Sequence, residues 1–215
     1  MKTETKVLGI ILIITLVLLF GGIFLLSKQG LSGTNEETVY QIDYSKGQKI
    51  GSDSAKVKLV EFSDLECPAC AAAEPFVKKV KSDYPNKVQL IYRHFPLPQH
   101  THSRQVAIFA EAAAKQGKFW EMHDKLFETQ SQWTILPEKE AAAFFLNLAK
   151  ELSLDQDKLN QDLEDPVVKS RVDEDEAESR RLGVNATPTF FLNGRKLNLQ
   201  SFSELNTVVA NELKK

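Results

Sequence analysis

Both cysteines of this 215-residue chain fall in one four-residue stretch, Cys67-Pro68-Ala69-Cys70, and its flanks leave little freedom in local structure. An alternating apolar segment, Val57-Lys58-Leu59-Val60-Glu61-Phe62, precedes it, and apolar residues at helical spacing, Ala73, Phe76, Val77, Val80 and Tyr84, follow it. The order is strand, turn, cysteine pair, helix. Cys67 is therefore expected at or near a helix N-terminus, where free backbone N–H groups and the positive end of the helix dipole favour a thiolate over a thiol. Pro68 suits the first turn, because the N–H it lacks would have had no partner there. Cys70 follows one turn later, within reach of a disulfide with Cys67 and less open to solvent. Cys67 is the expected attacker, with a lowered pKa.

Residues 7–26 form an uncharged apolar run of twenty residues, with Lys2 and Lys6 before it and Lys28 after. As a helix it would cover about 30 Å, the thickness of a hydrocarbon core. A secretory signal peptide has an apolar region of about 7–15 residues and a small-x-small exit. Here the exit reads Leu26-Ser27-Lys28-Gln29-Gly30, so a retained transmembrane signal-anchor over 7–26 is expected. Lys2 and Lys6 outweigh Glu4, whereas Lys28 soon meets Glu36 and Glu37. The positive-inside rule then leaves residues 1–6 in the cytoplasm and the bulk of the chain outside the plasma membrane. That compartment permits disulfides, and a CxxC there is placed to exchange them.

From 27 to 48 the composition turns polar, with Gly30, Gly33 and Gly47, and reads as a tether with a short edge strand near 39–42. Residues 49–215 suit one domain with a hydrophobic core. A formal net charge of −2 gives no general attraction to nucleic acid or anionic lipid. Within the domain, strands are predicted at 57–62 and 88–93, around a helix at 67–84. Helices follow at 103–116, 118–128, 137–152, 155–165 and 167–182, broken at Gly117, Pro137, Pro166 and Gly183. Strands return at 189–192 and 195–199 around Asn193-Gly194, a hairpin dipeptide, and a helix at 202–213 closes the chain.

Four segments in this order resemble the DsbA-like branch of the thioredoxin superfamily. They are Val60-Glu61-Phe62-Ser63-Asp64 before Cys67-Pro68-Ala69-Cys70; Tyr92-Arg93-His94-Phe95-Pro96-Leu97-Pro98 with His100; Gly117-Lys118-Phe119-Trp120-Glu121-Met122-His123; and Gly183-Val184-Asn185-Ala186-Thr187-Pro188-Thr189-Phe190-Phe191. The resemblance covers roughly residue 50 to the C-terminus. It implies an α/β, thioredoxin-like fold with a helical insertion at about 101–182, here preceded by the single N-terminal transmembrane helix. It also implies thiol–disulfide exchange outside the cytoplasm through a redox-active Cys67–Cys70 disulfide, with exported proteins as substrates. That chemistry needs no cofactor and no metal. A quinone-linked membrane partner of the DsbB or vitamin K epoxide reductase type is implied for reoxidation. By the same resemblance, Pro188 follows a cis peptide bond beside the cysteines, and the backbone of Thr187 pairs with bound substrate. Pro68 and Ala69 would support the pair.

Period-two alternation puts Glu61 on the strand face of Val57 and Leu59, at least partly buried. A carboxyl there can exchange a proton with Cys70, and Glu61 matches the acidic residue of the family's strand. One departure concerns Ala69, since oxidising members often carry histidine between the cysteines. The Cys67 pKa is accordingly expected within the roughly 3.5–7.5 span of activated cysteines, but above its lower end. A tethered reductase or isomerase, and a non-catalytic binding module, are the rival readings.

His94, His100, His102 and His123 show no ligand spacing for a zinc site with the cysteines. His100 and His123 read as packing and hydrogen-bonding residues, while His94, at the end of its strand, can approach the cysteine pair. Phe119, Trp120, Phe127, Trp133, Phe144 and Phe145 read as the core of the helical insertion. The acidic run 173–176 reads as a solvated helix face.

Overall fold

The alternating segment becomes the middle of a sheet. Strand β2 (Val57–Ser63) pairs in parallel with β3 (Val88–His94) and antiparallel with β4 (Thr189–Leu192), while β1 (Gln48–Ile50) and β5 (Arg195–Lys196) form the edges in the order β1-β3-β2-β4-β5. This computed structural model describes residues 38–215 and Thr15. The segments expected at 1–6, 7–26 and 27–37 otherwise lie outside the described residues, among which no helix is long and apolar enough to cross a membrane.

Parallel strands need a crossover, and helix α1 (Pro68–Asp83) supplies it between β2 and β3. On one face of the sheet Val57 and Leu59 meet Ala73, Val77 and Val80 of α1, together with Leu205 and Val209 of the last helix. On the other, Val60, Phe62 and Phe191 meet Leu182, Val184 and Ile42. Covered on both faces, β2 is buried almost throughout, so its sequence alternation does not become an alternation of exposure.

The insertion expected at about 101–182 is helical: α2 (Ser103–Ala114), α3 (Phe119–Glu128), α4 (Gln130–Trp133), α5 (Glu138–Glu151), α6 (Gln156–Glu164) and α7 (Pro166–Arg181). Its core of Phe109, Met122, Leu126, Trp133 and Phe145 is continuous with Leu65, Cys70 and Tyr92. A short 3-10 turn, Phe202–Glu204, leads into α8 (Leu205–Leu213).

Four expectations are corrected. The stretch read as tether up to 48 belongs, from Thr38 on, to the compact unit: Ile42 is buried, and Tyr40 meets Phe191 at 5.4 Å and donates its N–H to Gly194 O at 2.8 Å. The strand near 39–42 is reduced to one bridge, Val39 with Arg195. The predicted strand 195–199 stops at Lys196, although the hairpin turn forms with Asn193 and Gly194 both at positive φ. Finally, Asp175 in the acidic run is buried against Arg93 and accepts the His94 N–H at 2.9 Å, because α7 lies against β3.

Candidate active site

Cys67 is the N-cap of α1, at φ −72° and ψ 122°, with Pro68 in the first helical position. Its own N–H is held by Asp64 O at 3.0 Å. Both cysteines are free thiols, but they stand in different surroundings: Cys67 is 6% exposed and Cys70 fully buried. The Cys70 thiol hydrogen-bonds the Cys67 sulfur and has the largest influence on it. Against the cost of burial, and with help from Thr187 and the N–H groups of Cys70 and Ala69, it lowers the Cys67 pKa from 9.0 to about 5. Burial, the bond to Cys67 and the charge of Glu61 push Cys70 well above 9.0. One sulfur is thus an anion at neutral pH and the other a protonated reserve.

The peptide Thr187–Pro188 is cis. The Thr187 carbonyl lies 3.6 Å from Cys67 Sγ, which donates to it as a thiol. Glu61, at 2% exposure, sits level with Tyr92 on the neighbouring strand. Burial raises its pKa from 4.5 to about 7, tempered by the Ser63 hydroxyl. Its charge is felt at Cys70, so a carboxyl ready to gain or lose a proton near neutrality lies behind the buried thiol.

The loop that carries the cysteines is fastened by partners distant in sequence. The Asp64 carboxylate accepts the N–H of Glu66 at 2.9 Å and of Leu97 at 3.0 Å and meets His100 Nδ1 at 2.6 Å, while its own N–H donates to Cys70 Sγ at 3.5 Å. Glu66 accepts the His102 N–H at 2.6 Å, and Gln130 Nε2 donates to Leu65 O at 2.8 Å and Cys67 O at 3.1 Å. His94 is turned to Glu111 at 3.1 Å, and none of its hydrogen bonds or ring contacts reaches either cysteine. Among the described residues the cysteines and histidines form no common ligand set. The cluster with metal-ligand spacing is Glu74, His123 and Asp124, where the Lys78 ammonium already lies 3.7 Å from Glu74 and 3.4 Å from Asp124.

The family described as Thioredoxin matches residues 44–211, most of the chain and all of this site. The chain belongs to that thioredoxin family. Its fold is DsbA-like. It is similar to BdbD of Bacillus subtilis at 25% identity and a TM-score of 0.71, over 84% of this chain and 100% of that one. It shares its fold with α-DsbA1 of Wolbachia pipientis, at 20% identity and a TM-score of 0.69, over 81% and 94% of the two chains. A curated relative, the Na(+)/H(+) antiporter NhaA 3 of Salinispora tropica, is 37% identical over 172 residues, 78% of this chain. The chain spans about a quarter of the length of the curated relatives it matches, and the antiporter name describes those whole proteins.

For this thioredoxin-family site, reading the sequence missed Asp64 as the organiser of the active-site loop and Gln130 as its brace from the insertion. Asp64 and Gln130 act through contacts that no local spacing reveals.

Proposed function

We propose that this DsbA-like oxidoreductase is a dithiol oxidase that introduces disulfides into exported proteins. A substrate thiolate attacks Cys67 Sγ of the Cys67–Cys70 disulfide; the S–S bond breaks, and Cys70 leaves, taking a proton from Glu61. A second substrate thiolate then attacks the substrate sulfur of the mixed disulfide, and Cys67 leaves as a thiolate. The substrate loses two electrons and the enzyme pair gains them. The observation that carries this reading is the asymmetry of the pair. A Cys67 thiolate that is stable at neutral pH is a good leaving group and favours the reduced enzyme, which makes its disulfide a donor. The Thr187 backbone beside Cys67 is the contact we assign to the incoming substrate segment.

The apolar run at 7–26 is proposed as a plasma-membrane anchor with residues 1–6 in the cytoplasm. It would hold the catalytic domain outside, near a quinone-linked membrane partner of the DsbB or vitamin K epoxide reductase type that reoxidises the pair. Ala69 between the cysteines favours a second reading, a tethered reductase. The experiment is oxidation of a dithiol peptide by the oxidised full chain. Stoichiometric peptide disulfide is expected from the native chain and none from Cys67→Ser, while no peptide disulfide from the native chain either would reduce the protein to a binding module.

A further inference from the structure

Strands β2 and β3 are parallel with Ser63 level with His94, so the chain leaving each one runs beside the other. The Phe95 N–H donates to Ser63 O at 2.8 Å and carries the pairing past the strand ends. The two loops that follow are held together by one side chain, Asp64, which is fully buried. Its Oδ1 accepts the Glu66 N–H at 2.9 Å. Its Oδ2 is gripped from both ends of the turn 97–100, by the Leu97 N–H at 3.0 Å and by His100 Nδ1 at 2.6 Å. The His100 N–H closes that turn on Leu97 O at 3.0 Å. A carboxylate only accepts, so His100 carries its hydrogen on Nδ1. The imidazole is 19% exposed and stands between this buried carboxylate and solvent.

The backbone of Asp64 touches both cysteines. Its carbonyl accepts the Cys67 N–H at 3.0 Å, and its N–H donates to Cys70 Sγ at 3.5 Å. The second contact bears on how readily Cys70 reacts. Burial, the Cys67 sulfur and the charge of Glu61 all push the Cys70 thiol up, and the Asp64 N–H works against them. A donor aimed at the sulfur favours the thiolate, the form that attacks a disulfide. The groups that favour the Cys67 thiolate are different ones: Cys70, Thr187 and the Ala69 N–H. The peptide unit between Ser63 and Asp64 holds Phe95 on its carbonyl and Cys70 on its N–H. On the Asp64 side its tilt is fixed by whatever fixes the Asp64 side chain.

We propose that His100 is a positioning residue for the step in which Cys70 attacks, acting through Asp64 to aim a backbone N–H at Cys70 Sγ. This role rests on the proposed exchange through Cys67 and Cys70 and deepens it, and it holds for either direction of electron flow. When a mixed disulfide on Cys67 is resolved within the enzyme, Cys70 gives up its proton and its thiolate attacks Cys67 Sγ. The Cys67–Cys70 bond forms, the bond from Cys67 to the other sulfur breaks, and that sulfur leaves with the electron pair. The Asp64 N–H lies on the attacking sulfur as its charge develops. Without the imidazole, water reaches Asp64 Oδ2 and the carboxylate loses one of its two holds on the turn 97–100. The peptide unit then tilts, and Cys70 loses its donor. His100 itself touches neither sulfur: its side chain bonds Asp64.

The test mixes the reduced full chain with glutathione disulfide at pH 8 and follows the products by acid quench and mass spectrometry. In the first step the Cys67 thiolate binds one glutathione and releases the other as a thiolate. In the second, Cys70 attacks Cys67 Sγ, releases the bound glutathione and closes the Cys67–Cys70 disulfide. The pair loses two electrons and glutathione disulfide gains them. With a pKa of about 5, Cys67 stays a thiolate at pH 8 even after a modest rise, so His100→Ala is expected to leave the first step at the native rate. The second step is expected to slow about fivefold or more, the effect of losing one hydrogen bond to a developing charge, so that the glutathione adduct accumulates. His100→Asn, whose amide can present an N–H where Nδ1 stood, is expected to recover most of the second rate. Equal second steps in the native chain and His100→Ala would overturn the assignment. So would a first step slowed to the same degree, which would mark a general disturbance of the loop, or a second step that His100→Asn does not recover. If the native chain takes up glutathione and never closes the pair, it is exchange through Cys67 and Cys70 that fails, and the role of His100 falls with it.

Discussion

Cys67 and Cys70 are the same side chain three positions apart, and their opposite acidities come from opposite environments. Cys67 has the helix N-terminus, the Cys70 thiol and the Thr187 segment; Cys70 has burial and the charge of Glu61. Glu61 also links function to stability. Folded, it keeps its proton up to about pH 7, whereas the ordinary glutamate value is 4.5. Its burial therefore costs nothing below that ordinary value, and costs progressively more as pH rises through the interval, with no further loss above about 7. Glu61→Gln removes that cost. In urea unfolding of the reduced protein the variant should gain on the native chain between pH 5 and pH 8, by up to roughly 3 kcal/mol; a constant difference across that range would show that Glu61 ionises normally. At this scale the sequence revealed the residues whose role is local, the cysteine pair and the alternation that buries Glu61. Asp64 and Gln130 stayed hidden because their partners are brought to them by the fold.

Elements were legible where one face of a helix or strand carried the apolar residues. Helices α1, α2, α5 and α7 lie where periodicity and the Gly and Pro breaks put them. Two failures share a cause. The segment at 38–48 reads as polar because its apolar packing on the sheet comes from a few scattered residues, Tyr40, Ile42 and Tyr44, and α7 reads as solvated because four consecutive acids mask the one that is buried. Asp175 in fact continues the buried stripe Val168, Val172, Asp175, Ser179 of α7. There it is the counter-charge of Arg93, itself 1% exposed, on β3. Removing one partner of a buried pair leaves the other charged and unsolvated, so Asp175→Ala should destabilise the domain by about 3–5 kcal/mol in chemical denaturation. A loss below about 1 kcal/mol would mean that α7 does not depend on this pair.

For the molecule as a whole, the insertion does two things. It completes the core beneath Cys70 and Tyr92, and through Gln130 it holds the backbone on which Cys67 sits. The outcome is a reduced state stabilised by the Cys67 thiolate. At pH 7 a Cys67 pKa of about 5 instead of 9.0 favours the dithiol by about a hundredfold, and Cys70, protonated in either case, does not offset it. For a two-electron couple that raises the reduction potential by about 60 mV over a pair with ordinary thiols. The most direct test of the oxidase reading is this potential, measured by equilibrating the full chain against glutathione. A value of about −180 mV or higher is expected of a donor of disulfides, whereas a value near −270 mV, that of thioredoxin, would contradict the oxidase reading and make the protein a reductase.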